Sequence, residues 1–359
     1  NIAIGSALVS NTTGSLNIAM GAALGSNQSG DSNFAFGRLA LNLNVSGSGN
    51  IAMGVNALAN NTVSDNLALG NAALTFNTTG ASNLAIGASA LNLNVIGNSN
   101  LAIGYFALRA NTADNNLGIG LNALGNNTTG TPNLAIGSLA LSSNVTGTDN
   151  LAIGLNALTL NTVSNNLAIG SGALDANTTG TPNLAIGLNA LGLNTIWNSN
   201  VAIGFNALAS NTGGSDNTAI GRQAMNNNSN GQFNTCIGNS SLFNATNASN
   251  TIAIGYNALV NNTASNNTAI GARVMDANTT GTQNVAIGVD ALGGNISGSN
   301  NIAIGYNALL VNNILGNVGI GPRALVANTT GTPNLAIGFD ALAANVTGVD
   351  NLGIGFNAL

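Results

Sequence analysis

The chain has 359 residues and a formal net charge of −5, and only 4% of its residues are charged: five Arg, ten Asp, and no Lys, Glu or His. Histidine triads and histidine-bound zinc are therefore excluded, and Asp, Tyr and Cys236 are left as the candidates for proton transfer. An acidic chain with five scattered Arg lacks the electrostatic footprint of a nucleic-acid binder, and no apolar run approaches the roughly 18 residues of a membrane helix. Neither nucleic acid, nor membrane insertion, nor a cofactor is expected.

From the first residues onward a short motif ending in Gly, as in Asn-Leu-Ala-Ile-Gly, recurs with its Gly at 5, 21, 37, 54, 70, 87, 104 and on to 355, giving 22 copies spaced 16 or 17 residues apart. Gly54, Gly104, Gly154 and Gly204 stand 50 residues apart, as do Gly255, Gly305 and Gly355, so three rungs form a super-repeat. We number each rung from its anchor Gly as zero. Position −1 is always Ile, Leu, Met or Phe, and −3 is apolar except at Thr218, Thr235 and Thr268. Position −2 is Ala, Gly or Cys236. Side chains alternate along a strand, which groups −3 with −1 on one face and −4 with −2 on the other. The bulkier set is expected inside, leaving Ala102, Ala152, Ala202 and their equivalents as a smooth outer column.

Ala-Leu follows at +3 and +4 and reads as a second short strand with its Leu inward. Asn then stands at +7, as Asn61, Asn77, Asn94, Asn111, Asn127, Asn144 and Asn161, and a second Asn series stands at −4, as Asn66, Asn83, Asn100, Asn116 and Asn133. Stacked at matched heights, these amides are expected to form structural ladders. Between the two series lie turn residues such as Thr-Thr-Gly-Thr-Pro, where most of the length variation falls.

A Gly or Asn in every ten-residue window rules out a helical reading, and 16 or 17 residues are too few for strand plus helix. The expected fold is all-β: a parallel β-solenoid (β-roll) of 22 rungs with two short strands per rung, running continuously over 1–359 as a rod of about 100 Å at the sheet spacing of roughly 4.8 Å. One rung cannot offset the entropy of ordering its own backbone, so stacking must supply the remainder. Residue 1 already occupies a repeat position and Leu359 stops midway through a rung, so the chain is expected to be a segment of a longer array.

Asn-Thr-Ala-Ile-Gly and Tyr-Asn-Ala-Leu followed by Asn-Asn-Thr, within 255–271, resemble the head and shaft repeats of trimeric autotransporter adhesins. They also resemble phage and bacterial tail-fibre-type proteins that end in a self-cleaving chaperone domain. The resemblance spans the whole chain and implies a β-roll assembled as a trimer, with the motif's small residue toward the other subunits.

At +1, every third rung carries a large apolar residue: Val55, Tyr105, Leu155, Phe205, Tyr256, Tyr306 and Phe356. With the Ala column, this stripe is the candidate lateral interface. Nineteen Asn-x-Ser/Thr sequons, among them Asn11, Asn77, Asn177, Asn278 and Asn328, are expected mostly by chance among 69 Asn. Asp65, Asp149, Asp216 and Asp350 precede the −4 residue but stand many rungs apart, unlike a calcium β-roll. Trp197 lies in a turn, and the Arg are expected to be solvated.

No reactive cluster converges by sequence, so the chain is read as non-catalytic: the structural shaft of an extracellular fibre or filament, at a cell or virion surface. Its partners would be identical chains, in a trimer or a filament, with any surface or glycan receptor contacted outside this region. The alternative is a solenoid that binds a periodic ligand such as polysaccharide or ice.

Overall fold

The computed structural model describes all residues from Asn1 to Leu359, without a single helix. It comprises two compact units, Asn1–Thr181 and Pro182–Leu359. The first holds eleven strands, β1 (Ile2–Ile4) to β11 (Asn166–Ile169), and the second eleven more, β12 (Asn183–Ile186) to β22 (Asn351–Ile354). Within each unit every strand pairs in parallel with the next in the chain, and like residues face like: Leu151 meets Leu167, Ala152 meets Ala168 and Ile153 meets Ile169. The fold is the expected parallel β-solenoid, with one rung per repeat.

Each rung contains one strand, ending at the anchor Gly, and the expected second strand is absent. Residues +1 to +6 form a turn segment in which +2 and +4 adopt left-handed backbone, as at Asn156 (φ 57°) and Leu158 (φ 53°). The left-handed residues at +2 and +4 break the pleat and let Ala at +3 and Leu at +4 both face inward, which a pleated strand forbids. This backbone still joins the stack: Asn156 N–H donates to Ser138 O on the preceding rung at 3.0 Å, and Leu158 N–H to Ala173 O on the following rung at 3.0 Å. Holding a leucine at positive φ costs roughly 1–2 kcal/mol, which burial of its whole side chain offsets at about 1.5–3 kcal/mol.

The two strand faces are the reverse of the sequence expectation. Position −2 points inward, with Ala102, Ala152 and Ala202 all at 0% exposure, so none belongs to an outer column. The cause is the width of the coil. The +4 Leu reaches across from the opposite wall, and at Gly118, which takes the Ala place in β8 (Leu117–Ile119), an added Cβ would lie 3.1 Å from Leu108 Cγ. A methyl group already fills that gap. The branched side chains at −3 and −1 have no room inside and stand on the outer face, half-buried or exposed.

The anchor Gly is fixed twice over. Gly154 has φ +138°, and a Cβ there would meet Gly170 O at 2.5 Å on the next rung. Replacing it with Ala would therefore strain the backbone and force adjacent rungs apart.

The interior makes a direct prediction. Ala152→Leu overpacks a filled gap and is expected to lower stability by about 1–3 kcal/mol, and Leu158→Ala, which opens a cavity, by about 2–5 kcal/mol. Chemical denaturation checks both, and an Ala152→Leu variant as stable as the parent would mean that this column does not face the core.

Candidate functional site

Two Asn ladders line the interior. Asn127 Nδ2 donates to Asn111 Oδ1 on the preceding rung at 2.7 Å and to Gly130 O in its own turn at 2.9 Å. At −4, the backbone N–H of Asn133 donates to Asn116 Oδ1 at 2.9 Å, while Asn133 Nδ2 caps Gly147 O on the following rung at 2.8 Å. Asn66, Asn77, Asn83, Asn94, Asn100, Asn116 and Asn144 repeat these roles, and with Asn61, Asn111 and Asn161 they are all at 0–2% exposure. The ladders are structural, as the sequence implied, though the −4 series faces the interior with −2.

The +7 ladder breaks at five rungs of one phase of the super-repeat, while Asn211 of the same phase, in a full-length turn, keeps its bond to Asn194 Oδ1 at 2.9 Å. Asn61, Asn111, Asn161, Asn262 and Asn312 sit in the shorter turns, and their Nδ2 reaches a carbonyl two residues on instead of the preceding rung's Asn. In the same rungs the −4 amide folds back, as where Asn116 Nδ2 donates to Asn111 Oδ1 at 3.0 Å. A one-residue change in turn length is thus the physical basis of the three-rung super-repeat. The buried Oδ1 atoms of Asn44, Asn144 and Asn295, each just before such a break, accept no bond.

Sequons at Asn77, Asn177, Asn278 and Asn328 occupy the buried ladder at 0% exposure, where a glycan has no space. The turn threonines tie rung to rung at the surface: Thr78 Oγ1 and Thr128 Oγ1 each donate at 3.0 Å to a backbone carbonyl on the next rung, at Val95 and Val145. Trp197 contributes its carbonyl to Asn183 Nδ2 at 2.9 Å.

The outer strand face is the largest feature without a partner. In unit 1 it runs through Leu101, Leu117, Leu134 and Leu151 at −3 and Ile103, Ile119, Ile136 and Ile153 at −1, all half-buried. In unit 2 every −1 residue from Ile186 to Ile354 is Ile, and the three Thr of the −3 column also lie here. No charged residue occupies −3 or −1 in either unit. One border carries the +1 stripe, where Tyr105 is 51%, Phe205 41%, Tyr256 53%, Tyr306 54% and Phe356 74% exposed. Of the residues expected at a lateral interface, these aromatics lie at the surface, and Ala102, Ala152 and Ala202 do not.

The charged groups are sparse and serve the coil. Arg273 grips Asp290 through Nε and Nη2, both at 2.7 Å, and Arg323 holds Asp340 in the same way one super-repeat later. Both Arg are about half exposed, so solvent screens each pair and its contribution to stability is small. Burial and then the neighbouring Asp290 raise the Asp276 carboxyl, while hydrogen bonds from the Ser15 backbone and hydroxyl lower Asp31. Cys236 takes the Ala place inside β15 (Thr235–Ile237), and burial alone pushes its thiol far up. No group of three or more acidic or Cys side chains is placed to hold a metal.

These shifts predict a flat stability profile between about pH 6 and 8. The lowered Asp31 gives stability that is present above its unfolded value near 4 and lost as pH falls. The raised Asp276 has the opposite sign, its contribution being lost as pH rises through its folded value, so the two oppose each other in acid. The raised Cys236 gives stability that is full below the unfolded thiol value near 8.5 and declines above it. Thermal midpoints measured against pH should show that alkaline decline, and Cys236→Ala should remove it.

No protein-family model, no curated protein and no solved structure matches this chain.

Proposed function

We propose that the chain is the non-catalytic shaft of a fibre, built from identical copies joined side by side through their outer strand faces. The observation that carries this reading is the pair of outer columns at −3 and −1, uncharged throughout and apolar except at Thr218, Thr235 and Thr268, eleven rungs long in each unit. Monomeric proteins rarely leave contiguous apolar patches beyond a few hundred Å² in water. Partly exposed apolar side chains from eleven rungs line this face in each unit, the kind of extended surface that a standard stable interface of about 800 Å² per partner requires.

Identity of the copies follows from periodicity. A partner that packs against these columns along their length must itself repeat at the rung spacing, and a second copy does so with the same side chains. Three copies around one axis would let every face be covered at once, and the resemblance to adhesin and tail-fibre repeats favours that number. A fibre at a cell or virion surface suits the composition: no Lys and five Arg leave little for proteases that cut at basic residues. A receptor or glycan would then be met by regions beyond this shaft.

The test is the mass of the native particle. A multiple of 35.2 kDa is expected, and Ile136→Asp with Ile153→Asp should reduce it to a single chain while strand content by circular dichroism is kept. If the parent stays a stable monomer at high concentration, the bare face instead serves a periodic ligand, and binding to polysaccharide or ice becomes the reading to pursue.

A further inference from the structure

The outer face has two different borders, and they match. Along the +1 border one phase of the super-repeat carries a large apolar residue in every rung, with Tyr105 and Leu155 in unit 1 and Tyr306 and Phe356 in unit 2 between 51% and 74% exposed, while the other phases do so only at Leu121, Leu188, Val289 and Phe339. Along the opposite border, at −5, most rungs carry polar residues or Gly, such as Ser82, Ser99, Asn115, Asp149, Asn300 and Gly316. Apolar residues there are Leu16 and, at multiples of about 50 residues, Pro132, Pro182, Phe233 and Pro333.

In unit 1 Pro132 forms the wall of a surface groove of about 370 Å³, floored by the −3 residues Leu117, Leu134 and Leu151 and edged by Asn115 and Asp149. In unit 2 Pro333 forms the wall of an equivalent groove of about 380 Å³, floored by Val318, Leu335 and Leu352 and edged by Gly316 and Asp350. Each groove spans three rungs, and each unit carries protruding apolar side chains with the same three-rung period on its other border.

We propose that unlike borders meet between copies: the +1 side chain of one copy seats in the proline-walled groove of the next, so the 50-residue super-repeat sets the axial register of assembly. The inference rests on the side-by-side reading above and specifies its geometry. Columns of Ile and Leu alone would slide past one another by one rung at little cost, because each rung offers nearly the same surface. Pro132, Pro182 and Pro333 share one phase of the super-repeat, so the rungs with an invariant large +1 side chain meet a proline-walled groove in one register of three. Contact between unlike borders is heterologous, and it closes into a ring when the rotation between copies permits.

The experiment is disulfide trapping in a Cys236→Ala background. Leu155→Cys is combined in turn with Asn115→Cys, Pro132→Cys or Asp149→Cys, and covalent species are followed on non-reducing gels beside the native mass. Leu155 and Asp149 lie six residues apart along one extended rung, about 20 Å, well beyond the roughly 7 Å limit for a disulfide. Any such bond therefore joins two copies.

The expected result is rapid trapping for the Pro132 pair, at least tenfold faster than for the other two. Phe356→Cys with Pro333→Cys should behave alike in unit 2. Equal rates for all three pairs overturn the register, and trapping by Leu155→Cys alone overturns the pairing of unlike borders. Absence of trapping in a particle of unchanged mass also overturns the inference while leaving the side-by-side shaft intact, whereas a parent particle with the mass of one chain removes the shaft reading itself.

Discussion

Every residue in this molecule meets its own counterpart one rung away, and that constraint governs the rest. Parallel stacking at the sheet spacing leaves no room for a residue that does not tolerate its own kind as a neighbour. Buried like charges would repel along such a column, whereas amides are both donors and acceptors and can bond to themselves. The interior accordingly holds Ala, Leu and Asn, and the Asn at 0% exposure satisfy each other and the turn carbonyls. The low charge content is a consequence of this geometry as much as of any environment.

The same constraint makes small departures visible. Shortening one turn in three by a single residue breaks the +7 ladder at Asn61, Asn111 and Asn161 and redirects the neighbouring −4 amides. The super-repeat is therefore a property of the hydrogen bonding inside the coil, and the outward pattern of Tyr105, Leu155 and Pro132 follows the same three-rung period. In the shaft reading, an internal irregularity of one residue supplies the outer landmarks that distinguish one register from the next.

Burial also separates the roles of polar residues that look alike in sequence. Ladder Asn within sequons are sealed in the core, turn Thr spend their hydroxyl protons on the next rung, and Arg273 and Arg323 clamp Asp290 and Asp340 across rungs. What remains exposed over a long distance is aliphatic. The surface is thus written by what the narrow interior cannot accept.

The sequence by itself determined the repeat length, the strand ending at each anchor Gly, the parallel in-register stacking and the two Asn ladders, because each is a periodic pattern that one-dimensional spacing records. It also grouped −3 with −1 and −4 with −2. Only the tertiary structure decided which group faces the core, since alternation is symmetric between faces and the bulkier set is the usual choice for an interior. The +4 Leu, turned inward by its left-handed backbone instead of by a second strand, fills the coil from the far wall and leaves space for a methyl group at Ala152. Ile and Leu of the strands are consequently displaced to the outside, so the −3 and −1 residues that sequence reasoning assigned to the core became the surface, while the +4 Leu stayed inside.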